Sequence, residues 1–162
     1  APQIDFEVLA VPGHTRSHVA YYGGGLLFCG DTLFSLGCGR MFEGTAEQML
    51  RSLQRLRDLP GATQVCCGHE YTLANAAFAV NLEPNNIELR EHARIVHALR
   101  ERGLPSLPST LSRECAANPF LRTDTPILSA RIKAELADPD ADEVARFAWL
   151  RHSKDQFKAP LA

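Results

Sequence analysis

The chain has 162 residues, 45% of them hydrophobic, enough for one globular domain or a compact domain with a small appendage. A formal net charge of −2 gives no basic field to draw nucleic acid or an anionic lipid surface, and the apolar runs are too short for a transmembrane helix. The five cysteines (Cys29, Cys38, Cys66, Cys67 and Cys115) are odd in number and lack a Cys-x-x-Cys, which argues against a disulfide framework or zinc knuckle and for buried thiols in a reducing cytoplasm.

The opening Ala1-Pro2-Gln3-Ile4-Asp5 has neither the basic start nor the apolar core of a signal peptide. Without an initial methionine, it reads as the start of a fragment, a processed product or a chosen boundary. Residues 5–11 partly alternate and predict a strand that Pro12-Gly13 ends. Val19 to Tyr22 and Leu26 to Cys29, joined by Gly23-Gly24-Gly25, predict a hairpin. The glycine-rich stretch 35–44 predicts an irregular loop. Thr45-x-x-Gln48 fits a capping box, with Met49, Leu50, Leu53, Leu56 and Leu59 at helical spacing and Pro60-Gly61 as the stop. Gln64 to Cys67 predicts a short strand.

Beyond residue 72 the pattern turns helical. Leu73–Leu82 and Ile87–Arg102 predict helices, the second with Ile87, Ala93, Ile95, Val96 and Leu99 on its apolar face. Residues 104–119 read as a proline-punctuated connector. Ile127–Leu136 and Asp140–Ser153 predict two more helices, the last with Val144, Phe147, Ala148 and Leu150 inward and Trp149 as an anchor. We divide the chain into a mixed layer, 1–72, and a helical layer, 73–162.

Three segments set a metal-type ligand beside glycine: Gly13-His14-Thr15, Gly30-Asp31-Thr32 and Gly68-His69-Glu70. Each falls where a strand gives way to a loop, a rigid place from which to hold a ligand. Neutral imidazole with carboxylate suits zinc, iron or manganese alike. The spacings of seventeen and thirty-eight residues are not diagnostic by themselves. Arg151 and Lys154, three apart near a helix end, suit either one shared pocket or a solvated basic terminus that favours the helix dipole.

Longer motifs carry a resemblance. Pro12-Gly-His14-Thr-Arg-Ser-His18, Leu27-Phe-Cys-Gly-Asp31-Thr-Leu-Phe34 and Cys67-Gly-His69-Glu-Tyr71-Thr72 resemble successive motifs of the metallo-β-lactamase superfamily. Gly37-Cys-Gly-Arg40-Met-Phe-Glu-Gly-Thr45, Glu83-Pro-Asn-Asn86, Pro108-Ser-Thr110, Asn118-Pro-Phe-Leu-Arg122 and Leu150-Arg151-His-Ser-Lys154-Asp-Gln-Phe-Lys158 resemble the glyoxalase II, or hydroxyacylglutathione hydrolase, family.

The resemblance implies an α+β chain: the C-terminal half of an αββα metallo-β-lactamase sandwich, followed by a helical glutathione-binding domain. It implies two divalent metals, zinc first and iron or manganese next, with His14 on one, His69 on the other and Asp31 bridging them. A metal-bound hydroxide would hydrolyse the thioester of S-D-lactoylglutathione to glutathione and D-lactate, the second step of methylglyoxal detoxification. Arg40, Tyr71, Arg151 and Lys154 would hold the glutathione moiety.

The family's His-x-His-x-Asp-His run is absent. The chain alone is therefore expected to bind metal weakly and hydrolyse little thioester. Its uncovered sheet is expected to pair with a missing N-terminal half of the fold or to self-associate. Ser17 stands where the motif often has glycine, and Phe42 where some relatives carry tyrosine. His18 reads as a supporting hydrogen-bonding group, His92, His97 and His152 as surface residues, and Cys38, Cys66 and Cys67 as packing thiols. Two further readings are a persulfide dioxygenase-like iron enzyme on the same fold and a non-catalytic fragment that binds glutathione or mediates assembly.

Overall fold

The computed structural model describes residues 4–158. Strands β1 (Glu7–Ala10), β2 (Val19–Gly23) and β3 (Leu26–Gly30) form an antiparallel meander. The β2–β3 turn uses Gly24 and Gly25 with φ of 57° and 76°, the doubly left-handed pair that a two-residue hairpin needs. A small second sheet follows, β4 (Leu33–Phe34) against β5 (Gly37–Cys38). Helix α1 (Ala46–Arg57) carries the chain to β6 (Gln64–Cys67), which lies parallel to β3. Strand β7 (Ser109–Thr110) closes the far edge, giving the order β1-β2-β3-β6-β7.

Helix α1 starts where the sequence places it. The Thr45 side chain accepts the Gln48 N–H while the Gln48 side chain accepts the Thr45 N–H. Its stripe of Met49, Leu50, Leu53 and Leu56 is buried against the strand residues Leu9, Ala20, Leu27 and Val65. Burying an aliphatic side chain of this kind stabilises by about 1.5–3 kcal/mol before entropy is counted. The helical layer comprises α2 (Thr72–Leu82), α3 (Ile87–Glu101), α4 (Leu111–Ala117), α5 (Pro126–Leu136) and α6 (Glu143–Gln156). The apolar cluster under the sheet continues through Leu111, Phe120, Leu128, Phe147 and Leu150, so strands and helices share one core.

The opposite face of the sheet is left largely uncovered by the described residues. Alternation puts Ala20, Leu27 and Cys29 inward and Tyr21 and Phe28 outward. The register lines Val8, Tyr21, Phe28 and Cys66 into one row across four strands. Val8 is 57% exposed, Tyr21 47% and Phe28 43%. The Phe6 ring packs tilted against that of Phe28, centroids 5.9 Å apart, and extends the patch.

Several expectations are corrected. The stretch 35–44 is not wholly irregular, since β5 falls inside it and Ser35-Leu36 forms a tight turn with Leu36 at φ 58°. The connector 104–119 contains β7 and α4, because Leu111 and Ala117 find an apolar surface. On α3 the buried face is Leu89, His92 and Val96, and Ile87 is 76% exposed. His92 is thus a core residue, not a surface one, whereas His97 and His152 are exposed. The last helix begins at Glu143, capped by the Asp142 carboxylate on the Ala145 N–H. Among the described residues no helix is long and apolar enough to cross a membrane.

Candidate active site

The C-terminal ends of β1, β3 and β6 lie on the same edge of the sheet and deliver His14, Asp31 and His69 to one spot. Gly13 holds φ 153° with its Cα facing α1, and a Cβ there would lie 2.8 Å from Met49. His14 then hydrogen-bonds through Nδ1–H to the Arg40 carbonyl at 2.8 Å, which leaves Nε2 for the cavity. The Asp31 N–H donates to His18 Nε2 at 3.3 Å, so His18 has the supporting role expected of it. The Gly68 N–H donates to the Gly30 carbonyl at 2.9 Å, which brings His69 beside Asp31.

Both imidazoles face the same carboxylate oxygen. His14 Nε2 stands 3.6 Å and His69 Nε2 3.4 Å from Asp31 Oδ2. These separations are long for hydrogen bonds. They suit neighbouring ligands on a tetrahedral ion, which lie roughly 3.4 Å apart when each bond is about 2.1 Å. The donor set therefore fits a divalent metal. Among the described residues no group of three or more histidine, cysteine, aspartate or glutamate side chains could hold one ion. His14–Asp31 and His69–Asp31 are two pairs sharing a carboxylate, not one complete shell.

A cavity of about 420 Å³ opens beside these residues. His14 and Asp31 form one end, and Arg40, Tyr71, Arg151 and Lys154 line the rest. His69 reaches the cavity edge through Asp31 and through Tyr71, whose ring stacks on its imidazole at 5.0 Å. The sequence-selected residues, drawn from loops, strand ends and the last helix, thus converge.

The cationic wall is tightly engaged. Arg151 is only 5% exposed, so it is no solvated helix end. It donates from Nη1 to the Cys38 carbonyl at 2.8 Å and from Nη2 to Asp155 Oδ1 at 3.1 Å, and lies over the Phe120 ring at 5.1 Å. Arg40 Nε meets the same Asp155 oxygen at 3.2 Å. Lys154 donates to the Ala74 carbonyl at 3.3 Å, and burial, then the neighbouring Arg151, pushes its ammonium below the usual lysine range.

The thiols stay inert. Burial raises Cys38 to about 11 even with Arg151 beside it, and also pushes up Cys29, Cys66 and Cys67. Sequence reasoning missed Asp155, although its place four residues after Arg151 is the spacing of a helical ion pair. It also missed the Cys38 carbonyl, for which no sequence signal exists. Phe42, exposed, closes the mouth with its ring 5.0 Å from that of His14.

Strands carrying histidine and aspartate at their ends, a bare sheet face and a helical cover on the other define the metallo-β-lactamase type of fold, and the superfamily model matches residues 3–69. The solved structure of ETHE1 from Myxococcus xanthus is similar, with a TM-score of 0.52 and 27% identity over 94% of this chain and 56% of that one. Membership of this superfamily implies divalent metal. The model described as hydroxyacylglutathione hydrolase C-terminus matches residues 70–157, and the chain belongs to that family. The hydroxyacylglutathione hydrolase of Xanthomonas euvesicatoria pv. vesicatoria (strain 85-10) is 56% identical over 96% of this chain. That of Xanthomonas campestris pv. campestris (strain B100) is 58% identical over the same share. The chain spans about 61% of the length of these curated relatives.

Proposed function

We propose that this chain forms the metal-bridging and glutathione-gripping part of a hydroxyacylglutathione hydrolase acting on S-D-lactoylglutathione. The observation that carries the reading is one cavity with a His14–Asp31–His69 cluster at one end and Arg40, Arg151 and Lys154 on its wall. Glutathione carries two carboxylates and a thiol, so a thioester-bearing tripeptide needs a cationic grip some distance from the reacting carbonyl.

His14 through Nε2, His69 through Nε2 and Asp31 through its carboxylate would hold two divalent ions, with zinc as our choice and iron or manganese suited to the same donors. Metal bound there supplies Lewis acidity and brings the pKa of its water near 7. The Arg40 carbonyl fixes the His14 ring, and His18 fixes the Asp31 backbone, so neither ligand needs to reorient. Lys154 and Arg40 take the carboxylates of glutathione and Tyr71 offers a phenol, while Arg151 holds the wall from behind. Charge-assisted hydrogen bonds of this kind are worth about 1.5–3 kcal/mol where desolvated. In the hydrolysis, water adds to the thioester carbonyl, the C–S bond breaks, and the thiolate leaves and takes up a proton.

On this reading, residues 1–72 supply the metal side and, through Arg40 and Tyr71, part of the glutathione wall, while the helical layer 73–162 supplies Arg151 and Lys154. The remaining ligands come from the part of the relatives' length that this chain does not span, and the bare sheet face pairs with that part. The chain alone then grips glutathione and turns over little thioester. Five free cysteines, buried or half-buried, agree with a cytoplasmic setting. The test is hydrolysis of S-D-lactoylglutathione by the full-length protein reconstituted with zinc, beside its Asp31→Ala and Lys154→Met variants. Loss of kcat in the first and a rise in KM in the second are expected. Full-length protein that leaves the thioester intact sinks the reading.

A further inference from the structure

Glu114, on α4, is fully buried and lies outside the cavity. A carboxylate is costly to bury unless donors surround it, and donors do. Ser35 Oγ–H donates to Oε1 at 2.8 Å, the Leu36 N–H to Oε2 at 2.8 Å and Asn118 Nδ2 to Oε2 at 3.1 Å. Two of these donors belong to a single turn, Ser35-Leu36, where Leu36 is held at a left-handed φ of 58° with its side chain fully buried. A leucine adopts that conformation only where its surroundings insist.

The same turn is held from two further directions. Asn118 Nδ2 donates to the Phe34 and Gly37 carbonyls, each at 3.0 Å, and Asn75 Nδ2 on α2 donates to the Ser35 carbonyl at 3.0 Å. Buried His92 adds a contact to Ser35 Oγ at 3.2 Å. Every one of these side chains comes from the helical layer.

The clamp matters because of what the turn connects. Strands β4 and β5 have two residues each, too few to fix a hairpin unaided. Their outer ends are Asp31 on one side and Gly39-Arg40 on the other. A Cβ on Gly39 would lie 1.9 Å from the Asp31 carbonyl oxygen, so the two ends touch. The Arg40 carbonyl orients His14, and the Cys38 carbonyl receives Arg151. The hairpin therefore carries one metal-side carboxylate and one wall of the glutathione grip.

We propose that Glu114 is a positioning residue, which holds the Ser35-Leu36 turn from α4 and thereby sets Asp31 and Arg40 in register with one another. The inference rests on the cavity being the hydrolase site, but its structural half does not.

The experiment compares Glu114→Gln and Ser35→Ala with Leu128→Ala, a core truncation on α5 that lowers stability away from the turn. Three readouts are taken on the folded chain: exchange of the Gly39 amide relative to the Leu53 amide in α1, the Kd for glutathione and the Kd for Zn²⁺. In Glu114→Gln the exchange ratio and both dissociation constants are expected to rise roughly tenfold. Ser35→Ala moves them the same way by less, and Leu128→Ala leaves them unchanged at a lowered Tm. A Glu114→Gln protein with a lowered Tm and all three readouts unmoved overturns the proposal. So does an unfolded Glu114→Gln accompanied by an unmoved Ser35→Ala. If the wild-type chain does not bind glutathione, the grip reading fails, and the exchange and Zn²⁺ readouts still decide the role of Glu114.

Discussion

His14 and Arg40 are joined by a 2.8 Å hydrogen bond from the imidazole Nδ1–H to the backbone carbonyl. The bond fixes the imidazole tautomer with Nε2 free toward Asp31, and its acceptor belongs to a residue that also lines the cavity. On the proposed reading, one residue serves the metal end with its backbone and the substrate end with its side chain. Displacing the 39–43 loop should disturb both functions together.

Gly68 offers a sharp test of the metal end. A Cβ there would lie 2.5 Å from Asp31 Oδ1, and the carboxylate would have to move. Gly68→Ala is expected to weaken Zn²⁺ binding by roughly tenfold or more while the circular dichroism spectrum is kept. Competition with a chromogenic chelator measures it, and an unchanged affinity would remove Asp31 from the ligand set.

On the proposed reading, Lys154 gives the glutathione grip a pH limit. Its ammonium is pushed down by burial and by Arg151, so it loses its charge on rising pH before an ordinary lysine does. Glutathione affinity should fall in the alkaline range below the usual lysine pKa of about 10.4. Lys154→Arg, always charged, should carry the binding plateau to higher pH. The linked effect on folding has the opposite sense: the unfolded chain binds the extra proton in that window, so stability from this group rises with pH. Calorimetric titrations across the range, with identical wild-type and variant profiles, would contradict the role.

His92 governs an acid limit of stability. Burial lowers its pKa from 6.5 to about 4. Between those values the unfolded chain takes up a proton that the folded chain refuses, so stability is lost as pH falls through the window, by on the order of 3 kcal/mol at most. Glu114 works in the other sense, since burial raises its carboxyl and the folded state holds the proton that the unfolded chain releases as pH climbs. Urea melts of wild type and His92→Gln from pH 7 to pH 4 separate the two, and the variant should show the shallower acid slope.

The bare sheet face should make the isolated chain associate. Val8, Tyr21 and Phe28 form an exposed apolar row that a folded monomer rarely leaves uncovered. Sedimentation should show a mass that grows with concentration, and Phe28→Lys should shift the chain toward monomer. A wild-type chain that stays monomeric throughout would show that the face needs no cover.

Local signals were legible. Thr45-x-x-Gln48 and the hairpin through Gly23-Gly24-Gly25 each depend on neighbours within a few residues; the capping box formed as read, and the hairpin formed with Gly23 ending β2 and Gly24-Gly25 alone making the turn. The strand-end glycines pointed to His14, Asp31 and His69, and each sits where a side chain would collide: Gly13 with Met49, Gly30 with His18 and Gly68 with Asp31. What stayed hidden depends on distant partners. Glu114 meets Ser35 across 79 residues and Arg151 meets Cys38 across 113, and no periodicity encodes either bond. His92 read as surface because charged residues surround it in sequence, yet its own position falls on the buried stripe with Leu89 and Val96. Helix α4 was masked by the prolines around it, and its burial comes from tertiary contacts instead of local propensity.

A glutathione grip built on the cationic wall is directly measurable. Isothermal titration of glutathione into the purified chain, beside Arg151→Met, tests it most directly. Arg151 supports the wall through Cys38 and Asp155, so the account expects saturable one-to-one binding in wild type and a Kd about tenfold or more weaker in the variant. No saturable heat in the wild type, or equal affinity in both proteins, would contradict it.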